Sequence, residues 1–230
     1  MKKILVCEDE ESIRSFVVIN LERAGYTVVQ AGSGEEALSC YTADPQIDIA
    51  LLDVMLPGID GFETCSRLRT MSDTMGIVIL TARTQETEKV NGLQMGADDY
   101  VTKPFGTAEL IARVDALYRR LETARRQNGG QPEIRLGEFL LDRRRRTLSR
   151  AGEPVDLTQL EYQIMEFFFL HPDRTHARAD ILHAIWGEGY FGDEKVVDVN
   201  VRRLRMKIED DPSAPRHLLT VWGMGYRWAT

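Results

Sequence analysis

The sequence predicts two domains of different class, an α/β domain on a five-stranded parallel sheet and then a smaller α+β domain. Three observations lead there. The chain has 230 residues, more than one common domain needs. Its first half alternates short apolar runs with helical periodicity. Residues 125–132, Arg-Arg-Gln-Asn-Gly-Gly-Gln-Pro, contain no apolar side chain and read as a flexible linker. The expected domains are residues 1–124 and 133–230.

In the first domain, strands are expected near 3–7, 27–31, 48–53, 77–81 and 99–102, and helices near 11–24, 35–43, 61–71, 86–95 and 107–124. Five successive βα units impose right-handed crossovers, and therefore a parallel sheet covered on both faces. Ligands of such sheets bind beyond the carboxyl ends of the strands. For the flavodoxin-like order 2-1-3-4-5 the crevice lies between strands one and three, whose ends carry Asp9 and Asp53. In the second domain short strands are expected around 134–136, 139–141, 147–149 and 154–156. Helices near 159–170, 177–186 and 194–209 and a hairpin about Gly223-Met224-Gly225 follow. The first of these helices opens with the capping-box pattern Thr158-x-x-Glu161 and should bury Leu160, Ile164, Phe167 and Phe168. No internal repeat or low-complexity tract interrupts this order.

The formal charge is −7, which argues against phosphate contact if spread evenly. It is not: residues 1–125 hold 13 Lys and Arg against 20 Asp and Glu, residues 126–230 hold 16 of each. The three cysteines, Cys7, Cys40 and Cys65, are odd in number and widely spaced, which suits a reduced compartment and a cytoplasmic address. Acids from Glu8 to Glu11 end the apolar stretch after Met1-Lys2-Lys3 too early for a secretory signal, and no run reaches membrane length.

Four strand ends concentrate the chemistry. Glu8-Asp9 follow Ile4-Leu5-Val6-Cys7, Asp53 follows Ile49-Ala50-Leu51-Leu52, Thr81 follows Ile77-Val78-Ile79-Leu80, and Lys103 follows Asp99-Tyr100-Val101-Thr102. Converging acids repel, so a proton or a cation must sit among them. Oxygen-only donors favour a hard ion, Mg²⁺, which shares its sphere readily with phosphoryl oxygens. Asp53 is then a nucleophile toward phosphorus, with Lys103 and Thr81 stabilising the oxygens. Taken singly, the acids would read as partners of a helix dipole and Lys103 as an exposed lysine; four such residues at four strand ends outweigh that. An aspartate-nucleophile phosphohydrolase would need a second acid two residues after the nucleophile, where Met55 stands.

In 194–209, Val197, Val201, Leu204 and Ile208 form one apolar stripe. Lys195, Val199, Arg202, Arg203 and Met206 are expected to point outward, with Asn200 and Arg205 at the flanks. Arginines beside a small apolar residue suit a DNA major groove, Val199 meeting a thymine methyl. A solvated charged helix, or a surface recruiting a protein, is the alternative. The run Arg143-Arg144-Arg145-Arg146 reads as a solvated turn, with DNA-backbone or polymerase contact as the lesser alternative.

The set Glu8-Asp9, Asp53 with Met55-Leu56-Pro57 and Gly61, Thr81-Ala82, Gly96-Ala97-Asp98-Asp99-Tyr100 and Lys103-Pro104-Phe105 resembles the receiver domain of two-component response regulators. The resemblance implies that Asp53 accepts phosphate from a sensor histidine kinase. It implies Mg²⁺ held by Glu8 through water, Asp9, Asp53 and the backbone carbonyl of Met55, and a cis bond before Pro104 that turns Lys103 into the site. It further implies a switch in which Thr81 moves toward the phosphoryl group and Tyr100 follows. Phosphorylation would then pair two receivers through Lys89, Asp98 and Asp99 against Glu109, Arg120 and Arg113, around Val90, Leu93 and Ile111.

The second half resembles the winged-helix effector domain of the OmpR/PhoB subfamily, through Leu157-Thr158 with Glu161, Trp186, the segment Val197 to Arg205, Thr220-Val221 and Gly223-x-Gly225-Tyr226. The implied protein is a phosphorylation-switched transcription regulator binding tandem DNA half-sites about one turn apart, a switch and not a metabolic enzyme. Trp222 departs from the pattern, since many members have an arginine there that enters the minor groove. The resemblance therefore carries no minor-groove contact over to that position.

Overall fold

The computed structural model describes residues 2–81, 95–126, 133–187, 190 and 193–230. The chain forms two compact units, Met1–Leu121 and Glu122–Thr230.

The first unit contains β1 (Lys3–Cys7), α1 (Glu11–Arg23), β2 (Thr27–Ala31), α2 (Gly34–Ala43), β3 (Ile49–Asp53), α3 (Gly61–Met71), β4 (Gly76–Thr81), β5 (Asp99–Thr102) and most of α4 (Thr107–Arg126), whose last residues belong to the second. All strand pairs are parallel, in the order β2-β1-β3-β4-β5. The central strands β3 and β4 are buried at every position, as expected where both faces are covered. On one face Ile4, Val6, Ile49, Leu51, Val78, Leu80 and Val101 pack with Val17, Val18 and Leu21 of α1 and Leu110, Val114, Leu117 and Leu121 of α4. Strand alternation sends Leu5, Cys7, Ala50 and Leu52 to the other face, where they are equally buried. Because the register aligns Cys7 with Leu52 and Asp53 with Leu80, the carboxyl ends of β1, β3 and β4 stop at one level.

Among the described residues of this unit, two helix starts are capped by side chains: Asp60 Oδ1 accepts from Glu63 N at 2.8 Å, and Ser33 Oγ accepts from Glu36 N at 3.2 Å. Gly61 matters for the site, since a Cβ there would lie 1.9 Å from the Asp53 carbonyl oxygen. Helix α4 runs to Arg126, so Arg125 and Arg126, read from the sequence as linker, continue the helix; both favour helix, and the break signal, Gly129-Gly130, comes later. The expected helix at 86–95 falls largely, and the rest of the linker wholly, outside the described residues.

The second unit opens with a four-stranded antiparallel sheet, β6 (Glu133–Leu136), β7 (Phe139–Asp142), β8 (Thr147–Arg150) and β9 (Glu153–Val155). Then come α5 (Gln159–Leu170), β10 (Thr175–His176), α6 (Arg178–Trp186), α7 (Lys195–Ile208), β11 (Leu218–Val221) and β12 (Gly225–Trp228). The last two strands form the expected hairpin, and β10 joins them in the order β10-β12-β11. Gly223, at φ +72°, makes the turn. A Cβ on Gly225 would lie 2.0 Å from the His176 carbonyl oxygen, so this glycine lets β10 close on β12. The result is an α+β winged-helix unit.

Candidate functional site

At the carboxyl edge of the parallel sheet, Glu8, Asp9 and Asp53 each offer an oxygen within 4.8 Å of the others. Glu8 and Asp53 are buried and Asp9 is exposed. The Lys103 ammonium donates to Glu8 Oε2 at 2.6 Å and lies 3.0 Å from Asp53 Oδ2. Its chain direction is set by a cis Lys103–Pro104 bond and by Lys103 N donating to the Thr81 carbonyl at 2.7 Å. Thr81 is buried at the end of β4, and Tyr100 is buried one strand further on. The four strand-end groups read from the sequence thus lie along one edge.

Local backbone contacts fix the acids. Arg14, on α1, donates to the Glu8 carbonyl at 2.6 Å and the Asp9 carbonyl at 3.3 Å. Val54 N donates to the Leu80 carbonyl at 3.1 Å, and Gly61 N to the Val54 carbonyl at 3.0 Å. The loop after Asp53 is therefore tied to both β4 and α3. Met55, whose backbone carbonyl the receiver resemblance assigns to the ion, follows in this loop with its side chain exposed.

The electrostatics are unbalanced. Burial first, and then the Asp53 charge, raise the Glu8 carboxyl, against the hydrogen bond from Lys103. Burial would lower the Lys103 ammonium, but its bonds to Glu8 and Asp53 outweigh that and raise it. Burial, with Glu36, Asp53 and Glu8 nearby, pushes the Cys7 thiol up to about 12, which makes it a core group and not a nucleophile. The Lys103 ammonium meets Glu8 and Asp53, and Asp9 adds a third carboxyl to the cluster, so acids outnumber this ammonium. An oxygen-only donor set with one exposed member is suited to a hard divalent cation that keeps several waters, so these residues fit Mg²⁺.

The charged residues assigned to a receiver pair are engaged within the chain. Asp98 accepts from Arg69 Nη2 at 2.8 Å and from Ile77 N at 2.8 Å, and lies 3.2 Å from Arg120 Nη2. Arg113 lies 3.3 Å from Asp99 and 2.9 Å from Glu109. Ile111 packs partly buried against the core. Lys89, Val90 and Leu93 lie outside the described residues. Arg69, in α3, is the member of this network that sequence reading missed; its partner Asp98 lies 29 residues away, with no local signal.

In the second unit α7 buries Val197, Val201, Leu204 and Ile208 as expected, but its outward set is smaller than the sequence indicates. Val199, Asn200 and Arg203 are buried. Arg203 turns inward because Glu161, wholly buried in α5, sits 3.0 Å from its Nη2 and 2.7 Å from Lys207 Nζ. Asn200 Nδ2 donates to its own helix at the Val196 carbonyl, 2.8 Å away. Arg205 pins the hairpin, donating to the Leu218 carbonyl and to Thr220 Oγ1, both at 2.8 Å. Lys195, Arg202 and Met206 remain exposed. A further residue missed from the sequence is Glu209, whose carboxylate accepts from the backbone N–H of Arg216, His217 and Leu218 at 2.8 to 2.9 Å and so fixes the loop into the wing. In the basic turn, Arg143 pairs with Glu166 at 2.7 Å and Arg146 stacks over Tyr162 at 4.5 Å, while Arg144 and Arg145 are exposed.

Residues 4–115 match the response regulator receiver domain, and residues 152–228 match the C-terminal domain of transcriptional regulatory proteins. The solved structure of DrrB, a Thermotoga maritima OmpR/PhoB homologue, is 30% identical over 100% of both chains, with a TM-score of 0.52. The chain belongs to the OmpR/PhoB response regulators. It is also similar to a solved structure of a RitR mutant (25% identity, 99% of each chain, TM-score 0.80). A structure described as a novel family of redox sensors in the streptococci, evolved from two-component response regulators, is 25% identical over 99% of each chain, with a TM-score of 0.50. As a response regulator with this C-terminal domain, the chain is a DNA-binding, winged-helix transcription regulator of a two-component system, of a family typically non-enzymatic. Its receiver implies a kinase partner. Among the described residues no helix is long and apolar enough to cross a membrane.

Proposed function

We propose that this regulator is switched by phosphorylation at Asp53, received from a sensor histidine kinase, and that the phosphorylated receivers pair and place two winged helices on tandem DNA half-sites. The observation that supports this most is the cluster of Glu8, Asp9 and Asp53 with the Lys103 ammonium between Glu8 and Asp53. When bound, Mg²⁺ would be held by Glu8, Asp9, Asp53 and the Met55 carbonyl, supplying positive charge to the phosphoryl oxygens.

The chain's own residues do the rest. A carboxylate oxygen of Asp53 attacks the phosphorus of phosphohistidine, the P–O bond forms as the P–N bond breaks, and the electron pair leaves with the imidazole. Lys103, already 3.0 Å from Asp53, follows the negative charge onto the phosphoryl group. That transfer loosens its hold on Glu8, and the Thr81 hydroxyl donates to the same group. Tyr100, buried next to β4, reads the position of Thr81. The ion pairs of Asp98, Asp99, Glu109, Arg113 and Arg120, closed within one chain here, would exchange partners across a symmetric interface with Lys89, Val90, Leu93 and Ile111. On DNA the exposed Lys195 and Arg202 make the direct contacts, while Val199, Asn200, Arg203 and Arg205 hold the helix and the wing in place.

Light scattering with acetyl phosphate and Mg²⁺ tests this reading: the wild-type chain should shift to a dimer and bind duplex DNA more tightly, and Asp53→Asn should do neither. A phosphorylated chain that stays monomeric with unchanged DNA affinity would overturn it.

A further inference from the structure

The end of α5 and the short strand β10 bring together two of the chain's 4 histidines. His171, which closes α5, and His176, in β10, stand with ring centres 5.3 Å apart and planes at 70°. Phe167 completes the group, 5.0 Å from the first ring and 4.6 Å from the second, and Phe168 lies 6.2 Å from His176. Of the rings packed on His176 among the described residues, only His171 carries a nitrogen.

Each imidazole has a nitrogen to offer. His171 Nδ1 lies 2.8 Å from the Phe167 carbonyl oxygen. A carbonyl only accepts, so Nδ1 holds the proton and Nε2 keeps its lone pair. A backbone carbonyl orients metal-ligating imidazoles in the same way. His176 is 5% exposed, and its Nε2 is buried without a hydrogen bond, an arrangement that calls for a missing partner. Burial first, then the charges of His171 and Arg174, favour the neutral ring, against Asp180 and the His171 backbone, and the neutral ring is the form that ligates. The spacing fits as well. With Zn–N bonds of about 2.0–2.1 Å each ring centre stands about 3.2 Å from the ion, so two imidazoles at a tetrahedral angle lie about 5.2 Å apart.

We propose that His171 and His176 form a site for a divalent transition metal of the Zn²⁺ class, in the winged-helix unit and separate from the carboxylate cluster of the receiver. Among the described residues only Glu8, Asp9 and Asp53 bring three ligand groups within 4.8 Å of one another, so here two imidazoles hold the ion and water completes its shell. Imidazole nitrogens suit Zn²⁺, whereas carboxylates and water suit Mg²⁺. The two sites therefore sort ions by hardness. The ion would tie the end of α5 to β10, whose His176 pairs with Tyr226 of the wing.

Equilibrium dialysis of the metal-stripped full chain against Zn²⁺, with Mg²⁺ in large excess to occupy the receiver carboxylates, tests this. The chain should take up about one equivalent. His171→Gln and His176→Gln should each weaken uptake about 10-fold or more, while His183→Gln and Cys40→Ser leave it unchanged. Zn²⁺, and not added Mg²⁺, should raise the thermal midpoint of the tryptophan-monitored transition, since all the tryptophans lie in this unit, and His171→Gln should abolish that rise. If His176→Gln does not fold, His171→Gln, at a partly exposed helix end, carries the test by itself. Failure to take up Zn²⁺ beside excess Mg²⁺, uptake that survives His171→Gln undiminished, or a Zn²⁺-loaded chain whose tryptophan transition does not move would each overturn the site.

Discussion

Replacing Lys103 by methionine removes the ammonium between two buried carboxylates, and its cost can be worked from the site. The ammonium is 2.6 Å from Glu8 and 3.0 Å from Asp53, and the three side chains are 16%, 1% and 6% exposed. Deleting one member of a buried ion pair costs about 3–5 kcal/mol. Since Asp9 opens the site to water, the lower end applies, about 3 kcal/mol at neutral pH without divalent cation. Mg²⁺ at a hundred times its Kd returns about 2.7 kcal/mol. The deficit should also shrink in acid: a carboxyl raised by folding contributes stability that is complete below its ordinary value, 4.5 for Glu8, and is lost as pH rises through its folded value. Without Lys103, Glu8 loses what lowers it, so that loss extends to higher pH. Urea unfolding separates the units, because Trp186, Trp222 and Trp228 all lie in the second. The far-UV circular dichroism transition of the receiver should move while the tryptophan transition stays. An unmoved receiver midpoint, or a shift that neither Mg²⁺ nor acid reduces, would refute this account of the pocket.

Three further outcomes are expected. Glu161→Gln should destabilise the winged-helix unit by about 3 kcal/mol, seen in tryptophan-monitored urea melts, since it removes the buried charge that pairs with Arg203 and Lys207 while the amide oxygen can still complete the Thr158 capping box. Burial first, then the charges of His171 and Arg174, lower His176 below its ordinary 6.5; the unfolded chain then binds more protons, so stability of this unit should fall as pH drops through about 6.5, and His176→Gln should flatten that dependence. Arg202→Ala should weaken DNA binding and lower the salt slope by about one, whereas Arg203→Ala should chiefly lower the melting temperature.

The sheet was legible because each central strand is an unbroken apolar run ending in a polar residue, so Ile49 to Asp53 announces both a buried strand and its chemical end. The capping box at Thr158 and the glycine turn at Gly223 were legible for the same reason: their physics is local. What escaped was set by distant partners. Arg203 looks like its neighbour Arg202 in the sequence, and only Glu161, on another helix, draws it inward. Val199 was assigned to the outward face from helical spacing, yet the packed surface of α7 is wider than one stripe and covers it. The two-residue strand Thr175–His176 exists because β12 offers it an edge and Gly225 permits the approach; two residues carry no periodicity. The resemblance assigns Asp98 and Arg120 to a pair of receivers; what no local signal announces is that Arg69 and Ile77 N make Asp98 the buried hub of a network within the chain.

The central claim is that one acid in the pocket takes up the phosphoryl group. Radiolabelled acetyl phosphate with Mg²⁺ should label the wild-type chain to about one equivalent, in a bond cleaved by hydroxylamine as an acyl phosphate is. Asp53→Asn should take up no label while keeping its fold by circular dichroism. Stoichiometric, hydroxylamine-labile label on that variant would contradict the assignment.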